Sequence, residues 1–158
     1  VKRRCVQIMS PRHGLAELKE HYAPYEDEAA KAGWVPPERP IIRQVFVAET
    51  TEKAEAIAAP AVDYLYRVLY GAASAAGDRV LKNDTGEVIA DTDDVGYRTF
   101  KERYIIGDPD LAIRKIKEYE RELRPTEMVC WMHMPGIRGS DVANSIELFA
   151  KEVMPAFA

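Results

Sequence analysis

Short apolar runs alternating with amphipathic stretches predict an α/β protein built from parallel strand-helix-strand units. Apolar runs stand at residues 5–9, 41–48 and 128–132. Each is followed, after a loop, by a stretch whose apolar residues recur at three- and four-residue steps, the signature of a helix with one buried stripe. Strands joined through such helices run parallel with right-handed crossovers. At 158 residues, 47% hydrophobic and 30% charged, the chain suits one globular domain with a real core.

The run at 5–9 reads as a strand and Ser10 to Gly14 as its loop. Leu15, Leu18, Tyr22, Tyr25 and Ala29 then form the stripe of a helix ending at Gly33, with a kink expected at Pro24. Pro36, Pro37 and Pro40 break the chain before residues 41–48, which are rich in β-branched and aromatic residues and predict a second strand. Thr50 or Thr51 is a candidate N-cap for the next helix, with Glu52 in its first turn, where the helix dipole favours an anion. Pro60 is expected to split or bend that helix.

Residues 71–104 carry small residues and turn signals and read as an insertion. A helix restarts at Asp108 as N-cap with Pro109 at the first helical position, and carries Ala112, Ile116, Tyr119 and Leu123 on its apolar side. Pro125 ends it. Residues 128–132 suit a strand buried on both faces, and Val142, Ile146, Phe149 and Val153 mark a last helix from about Ser140 to Pro155. A parallel sheet of three strands leaves both edges unpaired, so partners cover them or the rest of a barrel is missing.

Composition excludes several classes. The net charge of −4 is spread over mixed acids and bases, without the basic stripe of a nucleic-acid binder. No apolar run approaches the roughly 20 residues that cross a bilayer, and no signal peptide is visible, so a cytoplasmic protein is expected. Cys5 and Cys130 read as reduced thiols, and the three scattered histidines form no metal-ligand spacing, so no metal is expected. The start at Val1 without an initiator Met suggests a fragment or a processed chain. Asp84-Thr-Gly86 lacks the second carboxylate of an aspartic protease. The acidic run from Asp91 lacks the third ligand and the closing Glu of a calcium loop.

Three segments together resemble a known family. The string RQVFVAETTEKA at residues 43–54 resembles the late strand-to-helix segment of bacterial-luciferase-like flavin-dependent monooxygenases, where a VAxT strand end occurs. IIGDPD at 105–110 resembles that family's IGSP helix start, and WMHMPG at 131–136 with SIELFAKEVMP at 145–155 resembles its last strand and last helix. The resemblance spans the chain but only the carboxyl-terminal half of the family.

It implies that residues 1–158 form part of a (β/α)8 TIM barrel, roughly the last three strand-helix units with an insertion at about 71–104 before the last strand. It also implies reduced FMN from a flavin reductase as cofactor, with O2 and a small organic molecule as substrates. A deazaflavin used for hydride transfer occurs in the same superfamily. Because the family holds its flavin mainly through earlier strands, the chain is expected to be inactive alone. The rival reading is a non-catalytic half-barrel that self-associates through its open edges, and a homo-oligomer is expected.

Active sites of such barrels lie at the carboxyl ends of the strands. His133 is the candidate catalytic residue, a hydrogen-bond donor to flavin or substrate, with a backbone-bonded structural histidine as the alternative. Trp131, Met132 and Met134 suit an apolar pocket wall or plain core packing. Arg12 and His13 suit an anionic group or a solvated loop. Glu49 and Thr50 read best as first-turn charge and cap, and Asp108 fills the anion place at its own helix start.

Overall fold

The computed structural model describes residues 5–70, 83, 84, 87, 89 and 95–158, with backbone only at 69 and 70. In chain order, the elements are α1 (Leu15–Lys31), β1 (Pro40–Val47), α2 (Thr51–Tyr64), β2 (Ile105–Gly107), α3 (Pro109–Leu123), β3 (Glu127–Trp131) and α4 (Gly139–Leu148). α2 runs on into a wider π turn at Leu65–Tyr70, and α4 into another at Phe149–Val153 and a 3-10 turn at Met154–Phe157. The fold is therefore α/β.

The three strands form one parallel sheet in the order β2-β1-β3. β3 pairs with β1 from Pro40↔Glu127 to Gln44↔Trp131, and β2 pairs on the other side from Val45↔Ile105 to Val47↔Gly107. Two expectations are corrected here. The run at 5–9 contributes a single bridge, Met9↔Ile41, instead of a strand. The three residues before the Asp108 cap are themselves a strand, too short for a periodic pattern to register.

The two sheet faces differ. Ile41, Val45, Val47 and Ile105 face a cluster with Leu18, Tyr22, Ala112, Tyr119, Leu123 and Val153, so α1, α3 and the end of α4 cover that side. Phe46 and Ile106 face a second cluster built on Ala54, Ala58, Ala61 and Val62 of α2. That second cover stops short of β3. Met128 and Cys130 turn to the first cluster, whereas Val129 and Trp131 on the other face are 45% and 38% exposed. The strand expected to be buried on both faces is thus covered on one.

Neither internal proline ends its helix. α1 passes through Pro24 and α2 through Pro60. Both prolines are exposed, as are Glu20 and Ala56 four residues earlier. The carbonyls that lose their amide partner lie on a wet side of the helix, where water serves them.

Helix starts match their caps. Thr50 Oγ1 accepts from Lys53 N at 3.2 Å, and Asp108 Oδ1 accepts from Leu111 N at 2.8 Å. Thr51 Oγ1 also donates to Asp108 Oδ2 at 2.7 Å and accepts from Asp108 N at 3.2 Å, lashing the starts of α2 and α3 together. The Thr51 hydroxyl, then the Leu111 amide, hold the Asp108 carboxyl below its ordinary pKa.

Candidate active site

The carboxyl ends of β1 and β3 are held by α4. β3's register ends at Gln44, and the Val47 N–H beyond it donates to the buried Ser145 Oγ at 2.8 Å. A serine on the helix thus replaces the next strand residue and fixes α4 over the end of β1. From Trp131 the chain passes His133 and turns at Gly136, whose φ of 88° suits glycine.

The structure distributes the expected residues unevenly. Trp131 and His133 are exposed at the end of β3, and His133 has no hydrogen bond among the described residues. Met134, by contrast, is fully buried with the α2 residues of the second cluster and with Ile137 and Val142. It packs the core, and the apolar surface at this point is left to Trp131.

Arg12 and His13 follow Met9, on the opposite side of β1 from β3. Their loop is latched by Arg103, which is 4% exposed. Arg103 Nη1 donates to the Arg12 carbonyl at 2.6 Å, and its Nε donates to Asp84 Oδ1 at 2.7 Å. Its guanidinium also lies 4.2 Å from the Phe100 ring centroid. Glu17 Oε2 lies 3.5 Å from Arg103 Nη2 and accepts from Gly14 N at 2.9 Å. Asp84, dismissed as a protease motif, is an anchor for the loop.

His13 meets His21 edge to face at a centroid distance of 4.5 Å, and its Nδ1 is buried with no hydrogen-bond partner among the described residues. Burial, then the neighbouring His21, pushes the His13 pKa below 6.5. Among the described residues no hydrogen bond or ring contact joins this histidine pair to His133.

Two residues that sequence reasoning passed over are conspicuous. Arg43 and Gln44 are both 0% exposed in the middle of β1, and among the described residues the nitrogens of the one and both amide atoms of the other lack hydrogen bonds. Arg43 turns to the helix-covered face, with the Tyr119 ring centroid 4.7 Å away. Burial pushes its pKa down. Gln44 turns to the other face, beside Trp131 in register. Two adjacent polar residues inside an otherwise apolar strand were the sequence signal that was available.

Cavities flank α2 at this end of the sheet. One of about 400 Å³ lies between α2 and α4 and is lined by Ala48, Glu49, Lys53, Ser145 and Leu148, among others. Another, of about 370 Å³, opens between Ile57, Pro60, Ala61 and Tyr64 of α2 and Pro135 and Gly136 after β3. Glu49 is exposed and paired with Lys53 at 2.7 Å. No group of three or more metal-ligating side chains occurs among the described residues, and none of their helices is long and apolar enough to cross a membrane.

Solved structures share this architecture. The monooxygenase RslO1 from Streptomyces bottropensis matches 99% of this chain with a TM-score of 0.74 at 17% identity. The oxygenating constituent of 3,6-diketocamphane monooxygenase from Pseudomonas putida matches 96% with a TM-score of 0.66 at 24% identity. It is a type II Baeyer-Villiger monooxygenase in complex with FMN. At these identities the likeness is one of fold. The chain spans 43% and 42% of those two proteins. No protein-family model matches the sequence, and no curated protein matches it.

Proposed function

We propose that this chain is the carboxyl-terminal part of a flavin-dependent, luciferase-like monooxygenase barrel, which oxidises a small organic substrate with O2 and reduced FMN supplied by a reductase. The observation that carries this reading is the match of nearly the whole chain to less than half of a monooxygenase. The open face of β3 supports it, since Val129 and Trp131 are apolar residues that the described residues leave uncovered.

The residues present suit the flavin ring better than its phosphate. Trp131 offers a half-exposed apolar surface at the carboxyl end of β3. The starts of α2 and α3 are closed by Thr50 and the Asp108 carboxylate, which repels a phosphate. When bound, FMN supplies the oxygen chemistry. His133 offers a hydrogen-bond donor to substrate or ring, and Trp131 excludes water on its side.

The test is a fluorescence titration of the chain with FMN and with riboflavin. Both ligands are expected to bind equally and weakly, at about 0.1–1 mM, or roughly −4 to −5.5 kcal/mol, and no oxygen-dependent turnover is expected from the chain alone. Tight binding that needs the phosphate overturns the incomplete-barrel reading. No saturable binding of either ligand overturns the flavin reading.

A second reading rests on the edge of β3 that pairs with no strand among the described residues. A groove of about 790 Å³ runs along it, lined by Ile116, Met128, Cys130, Phe149, Met154 and Phe157, among others. In this reading the chain is an interaction module that buries that edge against another copy.

A further inference from the structure

The hollow between α2 and the turn after β3 differs in chemistry from its neighbours. It is lined by Ile57, Pro60, Ala61, Tyr64, Pro135 and Gly136, and none of these is charged. The cavity between α2 and α4 has Glu49, Lys53 and Asp141 in its wall, and the one on the far side of Pro60 has Glu55, Asp63 and Arg67.

The local sequence accounts for the hollow. Ile57, Ala61 and Tyr64 follow one another at four- and three-residue steps and so form one stripe along α2. Ala54, Ala58 and Val62 beside it fill the core, whereas the stripe ends at Tyr64, which is 50% exposed. The opposing wall is made of Pro135 and Gly136. A Cβ at Gly136 would meet nothing within 4 Å, so the lack of a side chain there leaves the space open. Among the six residues, only Tyr64 has a side chain that forms hydrogen bonds.

Position and size restrict the occupant. Pro135 is two residues beyond His133, at the carboxyl end of β3, where barrels of this kind place their chemistry. A volume of about 370 Å³ falls at the small end of ordinary ligand pockets and is too narrow for a helix, which is about 10 Å across. A charged ligand would give up water here and meet no opposite charge.

We propose that this hollow binds the apolar body of a small, uncharged organic substrate, and that the Tyr64 hydroxyl selects one bearing a carbonyl or hydroxyl group. The inference rests on the monooxygenase reading and names the substrate class for it. Tyr64 binds and orients the substrate; it takes no part in bond making.

The experiment titrates the chain, with its alanine methyl groups labelled for NMR, with cyclohexanone and with cyclohexanecarboxylate. Ala61 reports on this hollow and Ala48 on the charged cavity between α2 and α4. Cyclohexanone is expected to shift the Ala61 methyl and not that of Ala48, saturating at about 1–10 mM. The carboxylate is expected to bind at least about tenfold more weakly. Tyr64→Phe keeps the apolar wall and is expected to weaken cyclohexanone about fivefold, with the urea unfolding midpoint unchanged.

An Ala61 methyl that does not move, a carboxylate that binds as well as the ketone, or ketone binding unchanged in Tyr64→Phe overturns the inference. The shift mapping uses the unaltered chain, so it decides even if the variant unfolds. A parallel riboflavin titration separates the two readings. Riboflavin binding without a ketone response overturns this inference alone. A ketone response without riboflavin binding supports the hollow as a site and overturns the flavin reading.

Discussion

The two faces of this small sheet are made of similar residues and meet different fates. On one, Ile41, Arg43 and Val45 of β1 and Met128 and Cys130 of β3 lie under α1, α3 and the end of α4. On the other, Phe46 is covered by α2, Gln44 is buried without partners, and Val129 and Trp131 stand at the surface. An apolar residue contributes to folding only through the surface it removes from water. The second face therefore gains less from its apolar side chains, since Val129 and Trp131 stay in contact with water among the described residues.

The sharpest way to break this comparison is to truncate one residue on each face. Ile41→Ala, at a fully buried position, is expected to cost about 3 kcal/mol of unfolding free energy. Val129→Ala, one register pair away on the other face, is expected to cost less than about 0.5 kcal/mol. Urea unfolding of the two variants measures the difference, and equal losses show that the second face is covered after all.

A smaller effect is expected at the lashing of α2 to α3. Asp108→Ala removes the cap on Leu111 N and the partner of Thr51, for a loss of about 1 kcal/mol near neutral pH. Because the folded state lowers the Asp108 pKa, this stabilisation is present above the ordinary carboxyl value of 3.8 and is lost as pH falls through the folded value. Asp108→Ala and the parent chain should therefore converge in stability in strong acid. A gap that persists there removes the ionised carboxylate from the explanation.

The smallest effect is expected at His13. Its lowered pKa means that the unfolded chain binds the proton more readily, so stability declines as pH falls below 6.5 towards the folded value. A His13→Gln variant should lose that part of the pH dependence while Arg103 still latches the loop. An unaltered profile between pH 7 and 5 sinks the assignment.

Legibility in the sequence followed the same division. The helices under the covered face were readable from their stripes, and the caps at Thr50 and Asp108 from residue type and spacing. β3 was readable as a strand but not in its burial, because Val129 and Trp131 look the same whether or not something covers them. β2 escaped notice because Ile105–Gly107 is too short to show a period.

Pro24 and Pro60 sit inside continuous helices because their cost depends on which side of the helix faces water, which the local pattern does not state. At the candidate site, Trp131 and His133 were proposed from the strand end, and the structure places both at the surface there. Met134 was open to two readings, pocket wall or core packing, because spacing along the chain does not show the turn that leaves it fully buried. Gln44 drew no notice because an amide within a strand carries no motif, and its burial without partners among the described residues is a three-dimensional fact.

The most direct test of the open sheet face is sedimentation velocity of the chain over a wide concentration range, beside its Val129→Lys variant. Concentration-dependent association is expected for the chain, and clear weakening of it for the variant, because a lysine on the open face makes its burial costly. A clean monomer at every concentration, matched by Val129→Lys, would contradict the claim that this face and edge are built to be covered.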